Sequence, residues 1–323
     1  MTISKRIRLA LAATALLSGV VLLVMRAAAD PVSVIGEPIE AGELRGTMLN
    51  VRNSDPVVLI VPGSGATDRD GNTPRGKTDA YKLLAEGLAQ EGVATVRVDK
   101  HGTFGSAGAG DPNAVTPEMY AADYRAWIDA IKAKRGSDCV WLLGHSEGAL
   151  MVSLAAEGRE DVCGLILVAG MGRRMGDVIR QQLTDNPANA ALLDEAHAAL
   201  SELEAGRRVD TANMTPALLG PFAPRVQGYL IGVLSLDPVD AVRRADVATL
   251  IVQGTTDIQV TVEDARLLHA APGAELRLID GMNHVLKLAP LDRAANLATY
   301  ADPGLPLAPG LVSQIVDFIE DES

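Results

Sequence analysis

Ser146 stands apart from the other hydroxyl side chains because of its neighbours, Gly144-His145-Ser146-Glu147-Gly148. An apolar run, Val140-Trp141-Leu142-Leu143, precedes it, and a helix-forming run over 149–156 follows. A strand that turns sharply into a helix holds such a serine in a strained backbone conformation. That turn closes only if the residues two positions to either side lack bulk. The hydroxyl then rises above the strand ends, over a helix N-terminus whose dipole favours developing negative charge. A serine hydroxyl is a weak nucleophile at neutral pH. Attack on an acyl carbon therefore needs a histidine base and a carboxylate to orient it.

In a strand–turn–helix setting the partners follow in the order serine, acid, histidine. Residues 248–254 read as a buried strand ending in Gly254, and Asp257 lies in the loop just beyond its end. A helix over 262–270, a strand over 275–279 and the loop Gly281-Met282-Asn283-His284 follow. Taken singly, an Asp after a strand is a turn residue or a helix cap. The other histidines have ordinary explanations. His145 lies inside the turn with its side chain directed away from the serine, and His197 is in mid-helix. His269 sits near a helix end, where it favours the dipole, and His101 follows a strand as a pocket-rim residue. Only His284 comes after both the acid and a strand. The expected relay is Ser146, Asp257 and His284, gathered at the carboxyl edge of a parallel sheet, where ligands bind in open α/β folds.

Charge that develops on the substrate oxygen needs two donors. The backbone N–H of Glu147, directly after the nucleophile, is one. The other is expected from the loop after an early central strand. Val57-Val58-Leu59-Ile60-Val61 is such a strand, Pro62-Gly63-Ser64-Gly65 is its loop, and the N–H of Ser64 is the expected donor.

With these residues in view, the chain resembles a bacterial α/β-hydrolase esterase of the serine-hydrolase type. Four segments carry the resemblance: Pro62-Gly63-Ser64-Gly65-Ala66-Thr67-Asp68-Arg69-Asp70-Gly71-Asn72, Gly144 to Gly148, Gly254-Thr255-Thr256-Asp257-Ile258-Gln259-Val260, and Asn283-His284-Val285-Leu286-Lys287. It implies hydrolysis of acyl compounds through a covalent acyl-enzyme. One loop departs from the family form D-x-R-G-x-G-x-S. In Asp99-Lys100-His101-Gly102-Thr103-Phe104-Gly105-Ser106, His101 stands where arginine is usual, which puts that arginine's ion pair in question. The charges of Asp68, Arg69 and Asp70 read as pairing with one another and stiffening a loop at the pocket wall, rather than as a substrate site.

The elements around these residues specify an α/β fold: a mostly parallel central sheet with helices on both faces. A strand pair near 44–52 leads into the strand at 57–61. A helix over 78–90, a strand over 93–98 and a helix over 117–134 precede the serine strand, and a strand at 165–168 follows its helix. The alternation breaks at residues 171–245, a helical cap insertion, with Asn186 and Pro187 starting its amphipathic segment and Gly206 ending it. Its apolar residues Leu192, Leu193, Leu200, Leu218, Leu219, Phe222 and Tyr229 chiefly pack it onto the core. Aromatic residues are 3% of the chain, which points to an aliphatic pocket.

A length of 323 residues, 48% of them hydrophobic, suits one large domain over 30–323. Residues 1–29 read as a separate export segment. Lys5, Arg6 and Arg8 precede an uncharged run over 9–25, and Ala27-Ala28-Ala29 follows. The run is long enough for a membrane anchor as well as a signal core, so the expected location is periplasmic or secreted, by cleavage, or tethered to the inner membrane. Without that segment's four basic residues, the remainder is still more acidic than the whole chain's −12. An acidic surface disfavours nucleic acid and anionic lipid but says little about the substrate, since the field inside a cleft is local; the small acyl ester expected as partner is what the resemblance implies. No cofactor is expected: the histidines lack paired metal-ligand spacing, and the glycine-rich 102–110 stretch lacks a phosphate-binding lysine. Cys139 and Cys163 precede neighbouring strands, and either a disulfide or two buried thiols fits them. The same machinery serves a thioesterase or an aminopeptidase, and a catalytically silent binding protein could keep the fold.

Overall fold

The computed structural model describes residues 36–51 and 56–322. The export segment expected at 1–29 lies outside the described residues. Among the described residues no helix is long and apolar enough to cross a membrane.

Eight strands form one sheet in the order β1-β2-β4-β3-β5-β6-β7-β8. β1 (Glu37–Ala41) and β2 (Leu44–Leu49) make an antiparallel hairpin, and β2 pairs antiparallel with β4 (Ala94–Val98). From β4 onward through β3 (Val57–Val61), β5 (Val140–His145), β6 (Val162–Val168), β7 (Thr249–Gly254) and β8 (Ala274–Ile279), every pairing is parallel. The strand pair therefore begins earlier than the sequence suggested, with five residues before Gly42 forming the edge strand.

Strand side chains alternate between faces, and the two halves of the core follow that alternation. On one side, Val58, Ile60, Trp141, Leu143, Ile166, Val168, Leu250 and Val252 pack against α1 (Ala80–Gln90) and α11 (Leu311–Asp321). On the other, Leu59, Val61, Leu142, Leu165, Leu167 and Ile251 pack against α2 (Pro117–Arg135), α3 (Glu147–Ala156) and α9 (Val262–His269). Burial on both faces explains why the central strands read as continuous apolar runs.

Between β6 and β7 the chain makes α4 (Met175–Thr184), α5 (Leu193–Glu204), α6 (Pro216–Leu219), α7 (Gln227–Leu234) and α8 (Pro238–Ala245). Asn186 accepts from the Ala188 amide with Pro187 next to it, but the first turn is a 3₁₀ helix and α5 begins only at Leu193. Leu200, Leu218 and Phe222 are buried in the core cluster, whereas Leu219 is exposed. Cys139 and Cys163 form a disulfide with Cα atoms 5.2 Å apart, where Val140 pairs with Val162 at the start of β5 and β6.

Candidate active site

β5 ends in the turn that carries Ser146. The serine has φ 56° and ψ −122°, a conformation that L-residues avoid and that persists only when the surroundings impose it. The imposing contacts are visible. A Cβ on Gly144 would stand 2.3 Å from the carbonyl oxygen of Gly148, and one on Gly148 would stand 2.7 Å from the carbonyl oxygens of Val61 and Pro62. The Ser146 amide donates to Val168 O on β6 at 2.9 Å, which pins the turn to its neighbouring strand. Glu147 opens α3 directly afterwards.

Asp257 and His284 meet after β7 and β8. His284 Nδ1 lies 2.8 Å from Asp257 Oδ2. A carboxylate only accepts, so Nδ1 carries the proton and Nε2 keeps its lone pair. The carboxylate is held from several sides: Oδ1 accepts the amides of Gln259 and Val260 at 2.8 and 3.0 Å, and Gln253 Nε2 reaches Oδ2 at 3.3 Å. The histidine loop is fixed through Asn283. Its Oδ1 accepts the amides of Val285 and Lys287, while its Nδ2 donates to Asn296 Oδ1 and Thr299 Oγ1 beside α10 (Arg293–Ala298). Asn296 Nδ2 in turn donates to Thr256 O, tying α10 to the Asp257 loop. Among the described residues no hydrogen bond joins the Ser146 hydroxyl to His284. Bonds of that kind commonly close only when substrate is bound.

The loop after β3 packs on the serine: a Cβ on Gly63 would lie 3.0 Å from Ser146 Cβ. Both polar groups of Gly63 are occupied. Its amide donates to the Tyr81 hydroxyl at 3.2 Å, and its carbonyl accepts from the buried Lys100 ammonium at 2.5 Å. In a trans peptide the C=O and N–H point in opposite directions. Lys100, by drawing the Gly63 carbonyl to itself, turns the Ser64 N–H the other way. Burial pushes the Lys100 ammonium below the ordinary lysine range, while the Glu147 carboxylate favours its charged form.

The sequence reading directed His145 away from the serine without assigning it contacts. Its ring lies between Tyr81 and the His284 loop, with Nδ1 2.8 Å from the Tyr81 hydroxyl and Nε2 2.8 Å from the His284 carbonyl oxygen. Lys100 and Tyr81 were not singled out, and Tyr229 was read only as an apolar residue packing the insertion onto the core. For Lys100 the sequence does carry a signal, a lysine two residues after a buried strand. Tyr229, on α7, donates to Glu147 Oε1 at 2.6 Å. Tyr120 stacks on Tyr124 and meets Tyr229 edge-on, so three of the chain's five tyrosines gather beside Glu147.

The charged loop is structural, but its charges do not pair with one another. Arg69 Nε and Nη2 both bind Asp99 Oδ2, at 3.0 and 2.5 Å, Arg97 pairs with Asp70, and Asp68 Oδ1 accepts the amides of Asp70 and Asn72. His101, standing where arginine was expected, pairs instead with Asp123 on α2 at 3.0 Å. Among the described residues no three His, Cys, Asp or Glu side chains are grouped to hold a metal ion.

The chain matches the alpha/beta hydrolase family over residues 57–299 and belongs to it. No curated protein sequence matches it. Among solved structures it is similar to Est1E from Butyrivibrio proteoclasticus, with TM-score 0.53 and 17% identity over 88% of this chain and 99% of that one. It is also similar to a proline iminopeptidase of Mycobacterium smegmatis, with TM-score 0.54 and 14% identity over 89% and 98% of the two chains. An esterase of Pyrococcus furiosus gives TM-score 0.56 and 14% identity over 89% and 90%. At these identities the likeness is one of fold, and members of that fold carry different chemistries.

Proposed function

We propose that this protein is a serine hydrolase that cleaves carboxylic esters through an acyl-enzyme. The observation that carries the reading is the His284 Nδ1 to Asp257 Oδ2 bond of 2.8 Å. It leaves the Nε2 lone pair free to act as base, at the sheet edge where Ser146 sits in its strained turn. In the proposed cycle His284 takes the proton of Ser146 as Oγ attacks the acyl carbon. The resulting imidazolium is stabilised by Asp257 and gives its proton to the departing alcohol. Water, deprotonated by His284, then releases the acid. The amides of Glu147 and Ser64 are the proposed donors to the oxyanion, worth about 3 kcal/mol each to the transition state.

The α4–α8 insertion is proposed as the cap over this site, and the Tyr229–Glu147 bond supports it. Export is proposed from the charge and apolar layout of 1–29, which the Cys139–Cys163 disulfide supports, since such bonds persist in oxidising compartments.

The test is labelling by a serine-reactive fluorophosphonate alongside turnover of acyl esters of graded chain length, with thioester and aminoacyl-amide substrates in parallel. Labelling and ester turnover that both vanish in Ser146→Ala support the proposal. A folded protein that neither labels nor turns over any ester is a binding protein, and faster amide or thioester turnover reassigns the leaving group.

A further inference from the structure

Four groups, from the loop after β3, from α1, from the end of β5 and from the His284 loop, are joined in one hydrogen-bonded line. Gly63 N–H reaches the Tyr81 oxygen at 3.2 Å, Tyr81 meets His145 Nδ1 at 2.8 Å, and His145 Nε2 meets the His284 carbonyl at 2.8 Å. The direction of every bond is fixed by chemistry. A carbonyl oxygen only accepts, so His145 Nε2 carries a proton. His145 is buried, and burial, with the neighbouring His284, holds its pKa down at about 3, so the ring is neutral and Nδ1 is bare. The Tyr81 proton therefore points to Nδ1, and its oxygen is left to accept from Gly63. Tyr81 is itself buried, and burial keeps its hydroxyl protonated far above the usual phenol range.

We infer that Tyr81 and His145 are positioning residues that hold the oxyanion loop, the serine turn and the His284 loop in mutual register. The inference rests on the ester-hydrolase reading. Neither side chain touches the reacting atoms in that reading; Tyr81 acts through the backbone of the residue before the Ser64 donor, and His145 through the backbone of His284. Gly63 is the residue before the Ser64 donor, and its other end is held by Lys100. His284 carries the base on the same residue whose carbonyl His145 holds. The line therefore ties the distance between donor and base to the turn that carries Ser146. The tilted rings of His145 and His284, with centroids 4.8 Å apart, are a second contact along it. A phenylalanine at 81 would keep the ring but break two bonds at once.

The experiment compares wild type, Tyr81→Phe, His145→Ala, His145→Gln and the Tyr81→Phe/His145→Ala double variant. Each is tested for cooperative melting, kcat and KM on one ester, and the downfield proton NMR signal of His284 Nδ1–H, assigned by its loss in Asp257→Asn. The expected result for Tyr81→Phe is a kcat on the order of 10- to 100-fold lower with KM held, because sub-ångström misplacement of reacting groups costs rate rather than binding. Its Nδ1–H signal should shift, the double variant should lose little more than the worse single variant, and His145→Gln, which keeps a donor and an acceptor, should recover part of the His145→Ala loss. A wild-type kcat, a loss confined to KM, losses that multiply in the double variant, or an unshifted signal overturns the inference. If Tyr81→Phe does not melt cooperatively, the Gln-against-Ala comparison decides, and equal kcat there overturns it. If wild type hydrolyses no ester, the ester reading has failed, and the NMR shift alone judges the line.

Discussion

The Tyr229 hydroxyl and the Glu147 carboxylate meet at 2.6 Å, joining α7 of the insertion to the residue that directly follows Ser146. Glu147 is only 5% exposed, so its carboxylate depends on such partners. Tyr229→Phe keeps the ring against Tyr120 and removes only the donor. Leaving a buried acceptor short of a partner costs about 1–3 kcal/mol. The denaturant midpoint should fall with the slope unchanged, and KM for esters should rise as the insertion loosens. An unmoved midpoint would show that the bond contributes nothing to holding the insertion down.

Asp257→Asn should separate geometry from charge. The amides of Gln259 and Val260 still find an oxygen at position 257, so the loop should keep its shape. An amide facing His284 Nδ1 removes the preference for a proton there and the stabilisation of the imidazolium. On the serine–histidine–aspartate template the expected fall in kcat is roughly 10⁴-fold. Melting and ester turnover measured together check it, and a folded variant within tenfold of wild type excludes Asp257 as the orienting acid.

Arg69 is expected to matter for stability and not for substrate. Asp99 has a side chain only 3% exposed and takes both Arg69 Nε and Nη2 on one oxygen. Removing one member of a buried pair strands the other, at a cost of about 3–5 kcal/mol. Arg69→Met should sit near the low end, because the backbone amides of Arg69 and Gly105 continue to bind Asp99. Urea unfolding would read this directly. A large rise in KM without a change in midpoint would instead return Arg69 to the substrate.

Much of the fold was legible because each central strand is buried on both faces and therefore reads as an unbroken apolar run. The turn at Ser146 was legible for a related reason: Gly144 and Gly148 are demanded by backbone contacts of 2.3 and 2.7 Å, and such demands leave glycines in the sequence. The edge strand β1 was missed because residues 37–41, with two glutamates and a proline, make half-exposed hairpin surface without apolar alternation. Arg69 was read as forming an ion pair that stiffens its loop, and it does form one, but its partner was not foreseen. Asp99 lies 30 residues away, and only the folded sheet brings the two together. The Tyr81–His145 and Tyr229–Glu147 bonds were illegible for the same reason, since they span 64 and 82 residues. Pairings that distant leave no spacing pattern to read.

His145 should also make stability depend on pH in a definable window. Burial, then the His284 ring, lowers its pKa from 6.5 to about 3, with the hydrogen bond to the His284 carbonyl and then Asp257 opposing. The unfolded chain therefore binds a proton at position 145 as pH falls below 6.5, whereas the native chain refuses it until about pH 3. The unfolded state binds more protons across that interval, so stability falls on acidification, by up to about 1.4 kcal/mol per pH unit from this one group. Asn at position 145 does not titrate, so the stability difference between wild type and His145→Asn should shrink as pH drops from 6 to 4. Carboxylates elsewhere that also weaken the protein in acid, such as Asp161, are common to both proteins and cancel in the difference. Parallel stability–pH curves for the two proteins would mean that His145 is not held neutral in the native state. The fixed direction of the Tyr81 bond would then be lost along with it.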